Sequence, residues 1–247
     1  MPEKSITCPS GLSGRVRGLK GREMNLLGNR KAAKTGELFD NLLNACWLQT
    51  DDAGPYELND RGNPNWLDVL VADRLYILIQ IRQATYPNDP YSFKVTCPNR
   101  ACEETFSWEI DFDDLPVKPV PEDSLVKFKA GAPVTAEIDG KTISYRLTTG
   151  KDERKAAKFL RGQEQRLLDL LSLRIVEIEG IDTNRKRAWL EELELSKYRD
   201  MLDAFDEQDG GLETTIEIEC THCGNTFEVD LPFGAEFFLP RRHSKNS

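Results

Sequence analysis

Two short stretches decide the fold: Val95-Thr-Cys-Pro-Asn-Arg-Ala-Cys102 and Ile218-Glu-Cys-Thr-His-Cys-Gly224. Each carries a cysteine pair, and each follows an alternating, strand-like run. Each also leads into a similar run, Thr105-Phe-Ser-Trp-Glu-Ile-Asp-Phe112 after the first pair and Thr226-Phe-Glu-Val-Asp-Leu231 after the second. A structural zinc site needs four ligands in a tetrahedron, and a short loop between paired cysteines brings two sulfurs to one ion. Cys220 and Cys223 have the usual spacing of two intervening residues, and Gly224 relieves the tight turn behind them. Cys97 and Cys102 are separated by four residues, still within the accepted range. The four residues Cys97, Cys102, Cys220 and Cys223 are therefore the candidate ligands of one shared structural zinc. The alternatives are two separate redox pairs, or cysteines that simply pack. Redox chemistry fits poorly, because a thioredoxin-like pair opens a helix in a βαβ context.

The 117 residues between Cys102 and Cys220 must leave the knuckles and return to them. The predicted class is therefore α+β: N-terminal helices, zinc-ribbon-like β-hairpins built from two distant knuckles, and an inserted β-hairpin and helical hairpin. The expected organisation is a basic extended arm over 1–24, a helical region over 25–90, and a zinc-ribbon-like unit from 91–120 and 212–234. An inserted subdomain over 121–211 and a basic tail over 235–247 complete it.

Local signals refine this map. Leu38, Leu42, Leu43 and Trp47 form one apolar face of a helical stretch over 23–48, broken by Gly28 and Gly36. Asn63-Pro64 supplies a cap and a first-turn proline for a buried helix from about Trp66 to Ala84. Asp73, Arg74 and Arg82 interrupt its apolar surface; an internal ion pair or solvent-reaching ends accounts for them, and the alternative is a polar docking point. Residues 125–129 read as a strand. Asp139-Gly140 marks a hairpin between 134–138 and 141–147. Thr149 and Asp152 form a capping box. The helical hairpin is predicted from a helix over 151–177, with a stripe of Leu160, Leu167, Leu168, Leu171 and Ile175, and a second over 184–207. Strands 213–219 and 226–231 flank the second knuckle. Cys46 reads as packed core, Cys8 as a free thiol in the arm, and His222 as solvent-facing, with mixed thiolate–histidine ligation of the metal as the alternative. His243 carries no inferred role.

Composition narrows the function. The chain has 247 residues, 39% hydrophobic and 30% charged, and a net charge of −9. That acidity argues against broad nucleic-acid binding. Residues 11–34 nevertheless carry seven basic side chains and one acid, whereas 103–123 carry eight acids and one lysine. Such asymmetry favours docking to complementary surfaces. No stretch reaches the roughly 20 apolar residues of a membrane span, and no signal peptide is expected. Reduced thiols in a cytosol then read as metal ligands rather than disulfides. With two histidines, one in a knuckle and one in the tail, a serine–histidine triad is not expected. Neither Gly18-Leu-Lys-Gly21 nor Thr149-Gly150-Lys151 completes a phosphate loop. Four thiolates leave a zinc no open position. The residues alone read as a zinc-stapled protein built for contact with other proteins, not as an enzyme.

A set of short patterns resembles the baseplate hub family of contractile-tailed bacteriophages. It comprises Arg17-Gly-Leu-Lys-Gly-Arg-Glu23, Leu42-Leu-Asn-Ala-Cys-Trp47, Gly54-Pro55-Tyr56 and Asp73-Arg-Leu-Tyr-Ile-Leu-Ile-Gln-Ile-Arg82. Ala84-Thr-Tyr86, Tyr91-Ser-Phe-Lys-Val-Thr-Cys97 and Ile110-Asp-Phe-Asp-Asp-Leu115 continue it. The four-residue gap between Cys97 and Cys102 departs from the more typical two and bears on the geometry of that loop. The resemblance implies a hub component or a factor that helps build the hub, with other hub, spike or tape-measure proteins as partners. It implies no small-molecule substrate and no enzyme activity. It places the protein in the host cytoplasm during assembly and in the tail baseplate if retained. The competing reading is a zinc-ribbon nucleic-acid-binding or transcription adaptor protein.

Overall fold

The computed structural model describes residues 3–157 and 163–239. Strands β1 (Glu3–Thr7) and β2 (Ser13–Arg17) form an antiparallel hairpin. Residues 3–7 and 13–17 are thus sheet, where the glycines suggest an extended arm. Ile6, Cys8, Leu12, Val16 and Leu19 are buried and supply the hydrophobic anchorage. The glycines serve contact rather than looseness: a Cβ on Gly14 would lie 2.2 Å from the Gln49 carbonyl oxygen. Arg17 is likewise turned inward, 2.9 Å from the buried Glu23.

Helices α1 (Met24–Leu27), α2 (Arg30–Thr35) and α3 (Glu37–Cys46) follow, broken at Gly28 and Gly36 as predicted. Leu38, Leu42, Leu43 and Cys46 are buried along α3. Strand β3 (Trp47–Asp52) then closes the first sheet in the order β1–β2–β3. Helix α4 (Val71–Thr85) starts five residues later than its proline cap suggests. Pro64 bridges Leu58 in a loop instead. Leu70 bridges Thr149, and the Val71 N–H donates to the Thr148 carbonyl, so the preceding chain is held extended.

Helix α4 is the central element. Ile77, Leu78, Ile79 and Ile81 are buried, and so are Asp73, Arg74 and Arg82. Arg74 is the predicted internal ion pair: it reaches Asp40 at 2.7 Å and Glu153 at 2.6 Å. Asp73 is satisfied by neutral donors instead, the Ser10 hydroxyl and backbone N–H and the Tyr56 hydroxyl at 2.6 Å. Burial raises the Asp73 pKa, while these donors pull the other way. The Arg82 guanidinium lies over the rings of Tyr86, Tyr91 and Phe237, 5.1 to 5.4 Å from each centroid.

Strands β4 (Tyr91–Thr96) and β5 (Thr105–Ile110) form the hairpin of the first knuckle. After β6 (Val117–Lys118), residues 122–129 are helix α5 (Glu122–Lys129) and not the predicted strand. Acids in its first turn and lysines in its last complement the helix dipole, outweighing a short alternating pattern. Strands β7 (Val134–Ile138) and β8 (Lys141–Tyr145) turn over Asp139 and Gly140, both at positive φ (52° and 67°). This is the primed-turn geometry of a two-residue loop. Thr149 donates to Asp152 from its backbone N–H, as the capping box requires, at the start of α6 (Gly150–Ala157).

Helix α7 (Gln163–Arg174) ends where β9 (Ile175–Ile178) begins, so the last residues assigned to one long helix form a third strand against β8. Leu160 lies outside the described residues. The predicted second helix of the hairpin is two, α8 (Lys186–Glu192) and α9 (Leu195–Asp209), separated by extended backbone at Leu193 and Glu194. The Phe205 and Tyr145 rings lie 3.9 Å apart between α9 and β8. Strand β10 (Gly211–Leu212) returns to pair with β6, and the second knuckle hairpin follows as β11 (Thr215–Glu219) and β12 (Thr226–Asp230). The segment Ala235–Phe238 is a 3-10 turn with Phe237 and Phe238 buried. Arg241, Arg242, His243 and Lys245 lie outside the described residues. No helix among the described residues is long and apolar enough to cross a membrane.

Candidate metal centre

Each knuckle is a loop at the tip of a hairpin, and both are closed in the same way. The Cys97 N–H donates to the Glu104 carbonyl at 3.0 Å, and the Cys220 N–H donates to the Asn225 carbonyl at 2.9 Å. Both acceptors immediately precede the returning strand, at Thr105 and Thr226. The first loop is two residues longer between its cysteines, and a turn around Asn99 absorbs them. The Asn99 carbonyl accepts from the N–H groups of Cys102 and Glu103, its side-chain oxygen accepts from Ala101, and Glu103 takes a positive φ of 48°. The second loop turns through Gly224 (φ 70°), whose N–H donates to the Cys220 carbonyl.

These local turns aim four sulfurs at one point. Cys97 Sγ lies 3.7 Å from Cys223 Sγ, and Cys102 Sγ lies 3.8 Å from Cys220 Sγ. All four fall within 4.8 Å of one another. A zinc bound tetrahedrally at about 2.3 Å from each sulfur sets its ligands about 3.8 Å apart, so the donor set fits that ion. The separation is far beyond the ~2.05 Å of a disulfide. Both of these contacts run between knuckles, so the cluster is complete only when both hairpins are in place. Tyr91 reinforces that pairing by donating its hydroxyl to the Pro232 carbonyl at 2.9 Å.

Burial is graded across the set. Cys97 and Cys220 are buried, Cys102 is half-buried and Cys223 is exposed. Without a metal, burial pushes the Cys97 thiol up to about 12. Burial opposes ionisation of Cys220 too, but the backbone N–H groups of His222 and Cys223 outweigh it and bring that thiol down to about 7. The Asn99 side-chain amide donates toward the exposed Cys223 sulfur at 3.9 Å. Asn99 was not singled out in the sequence, although asparagine between two cysteines is a turn signal. His222 is exposed, as expected. Cys46 is packed core, and burial pushes its thiol up to about 11. Cys8 is a free thiol as expected, yet it is buried rather than displayed on an arm.

The knuckle hairpins present their apolar residues inward and their acids outward. Phe93, Val95 and Ile218 are buried, and Phe106, Trp108, Phe227 and Val229 pack partly buried against the core. Glu109, Glu217, Glu219, Glu228 and Asp230 are exposed on the opposite faces. Lys94 is the sole lysine or arginine on these four strands. No curated protein and no solved structure matches the chain. A family model described as T4 bacteriophage base plate protein matches residues 1–239, and the chain accordingly belongs to that phage baseplate family.

Proposed function

We propose that this protein is a structural or assembly component of the baseplate hub, and that zinc held by Cys97, Cys102, Cys220 and Cys223 staples its scaffold. The family match over residues 1–239 carries the baseplate reading. The four-thiol cluster supports the staple. When bound, the zinc would supply folding energy, since the unfolded chain has no preformed site. Its ligands join segments more than a hundred residues apart in sequence, and the excursion 121–211 would then be an inserted subdomain anchored at its base. The pairing of β6 with β10 supports that anchorage. Four thiolates leave no coordination position for water, so the reading is structural rather than enzymatic.

Partners in this reading are other hub, spike or tape-measure proteins. The acidic outer faces of the knuckle hairpins weigh against a nucleic-acid adaptor, which requires cations facing phosphate. Mass spectrometry of purified tails, with gene deletion, tests the assignment. The expected result is the protein in tails, or failed hub assembly without it. Its absence from tails together with normal assembly after deletion would reject the role. Metal analysis of the purified chain tests the staple, with one zinc per chain expected. Two or none would overturn a single shared site.

A further inference from the structure

The first sheet ends in an open edge. Strand β1 pairs with β2 and with no other strand among the described residues. The hairpin closes with the Cys8 N–H donating to the Leu12 carbonyl. Antiparallel alternation from that point turns the backbone groups of Ile6 and Lys4 toward β2 and those of Ser5 and Thr7 away from it. Neither Ser5 nor Thr7 has a backbone hydrogen bond to another described segment, and both residues are exposed. Proteins commonly blunt such edges with proline, bulges, covering segments or outward lysines. Here β1 has no proline, and its one lysine is tied down: the Lys4 ammonium donates to Gln83 of α4 at 2.9 Å.

A cleft of about 520 Å³ opens beside this edge, lined by Glu3 and Lys4 of β1, the end of α4, and Asp89, Asp111 and Asp113. Glu3, Asp111 and Asp113 are exposed. Glu3 shares an exposed ion pair with Arg15 at 3.4 Å, and Asp113 accepts from Gln83 at 2.8 Å. The lining cations are Lys4 and Arg82, and Arg82 is buried against aromatic rings. The cleft therefore presents three exposed carboxylates, Glu3, Asp111 and Asp113, beside strand donors and acceptors that have no partner among the described residues. We propose that the β1 edge takes up an extended, lysine- or arginine-bearing segment of another protein as an added strand, with its cations over Asp111 and Asp113. Main-chain bonds supply affinity in such strand addition, and alternate side chains supply selectivity. The proposal deepens the baseplate reading by naming the chemistry of a partner, and it does not depend on the metal.

The test uses the full chain as purified and a labelled heptapeptide of alternating lysine and valine, followed by fluorescence anisotropy at low salt. Binding that weakens with salt is expected, together with none for a glutamate–valine counterpart. A fully N-methylated lysine–valine peptide, which leaves the protein unaltered, should also fail to bind. Ser5→Pro removes an outward N–H without deleting a β1–β2 hydrogen bond and should weaken binding about tenfold or more while the melting transition is retained. Asp111→Asn with Asp113→Asn should weaken it and flatten its salt dependence. Binding that survives N-methylation, or no binding by the wild-type chain, would overturn the proposal. So would a homodimer that Ser5→Pro dissociates, which would assign the edge to a second copy. Failure here leaves the tail mass-spectrometry result, and hence the baseplate reading, untouched.

Discussion

Cys220 shows how much one side chain can carry. It is buried at the tip of one hairpin, and its sulfur lies 3.8 Å from Cys102 on the other. Cys220→Ser should abolish metal binding and raise hydrogen exchange in all four knuckle strands, 91–96, 105–110, 215–219 and 226–230. Loss confined to 215–230 would contradict a shared site. Arg74 poses a different problem, a buried cation between Asp40 and Glu153. Arg74→Met leaves those carboxylates short of a partner and should cost about 3–5 kcal/mol in urea unfolding. Glu23 predicts a pH effect. Burial opposes its ionisation, but Arg17, Arg22 and the Lys20 N–H outweigh it and lower its pKa from 4.5 to about 2. The folded state thus binds fewer protons than the unfolded one, so this contribution is present above pH 4.5 and lost as pH falls through about 2. Unfolding midpoints across that window should fall less steeply with acid in Glu23→Gln than in the wild type. The four cysteines were legible at this scale because spacing and flanking strands are local. Asp73, by contrast, looks in sequence like half of an ion pair. Its partners, Ser10 and Tyr56, come from 63 and 17 residues away and are uncharged.

Among the elements, those with a complete local signal form where the sequence puts them. Both knuckle hairpins alternate cleanly and carry their own turns, and Asp139-Gly140 closes β7–β8 by the conformations those residues tolerate. Elements misread from sequence owe their state to distant contacts or to end effects. Residues 175–178 follow a helix yet become a strand because β8 offers an edge to Ile175 and Ile178. Residues 3–17 look loose because their glycines are counted as flexibility, whereas Gly14 admits β3 at close range. The β6–β10 junction yields a prediction of its own. Gly210 sits at φ 58° and ψ −162°, a region open essentially to glycine alone. A Cβ there would also lie 2.7 Å from the Val120 nitrogen and 2.8 Å from the Pro119 carbonyl carbon. Gly210→Ala should therefore cost at least about 1–3 kcal/mol, read as a lower thermal midpoint with metal binding intact.

For the whole molecule, the fold joins two chain segments at the knuckles and again at β6–β10, and it seats α4 against α3, α6 and the first sheet. Removing metal with a chelator should raise exchange most in 91–110 and 215–230, while α3 and α4, locked by Arg74, keep their protection. Adding zinc back should restore the hairpins. Unchanged exchange after complete metal removal would dismiss the staple. The amino-acid order by itself determined the two knuckle hairpins and the mixed helix-and-strand class. These depend on turn residues and alternation spanning about ten positions, which adjacent chain satisfies alone. Only the tertiary structure decided that the N-terminal segment is sheet, that α4 begins at Val71 and that a long helix gives way to β9. Each of those outcomes turns on burial or backbone pairing with residues far along the chain, where local preference is weak and the remote partner supplies the difference.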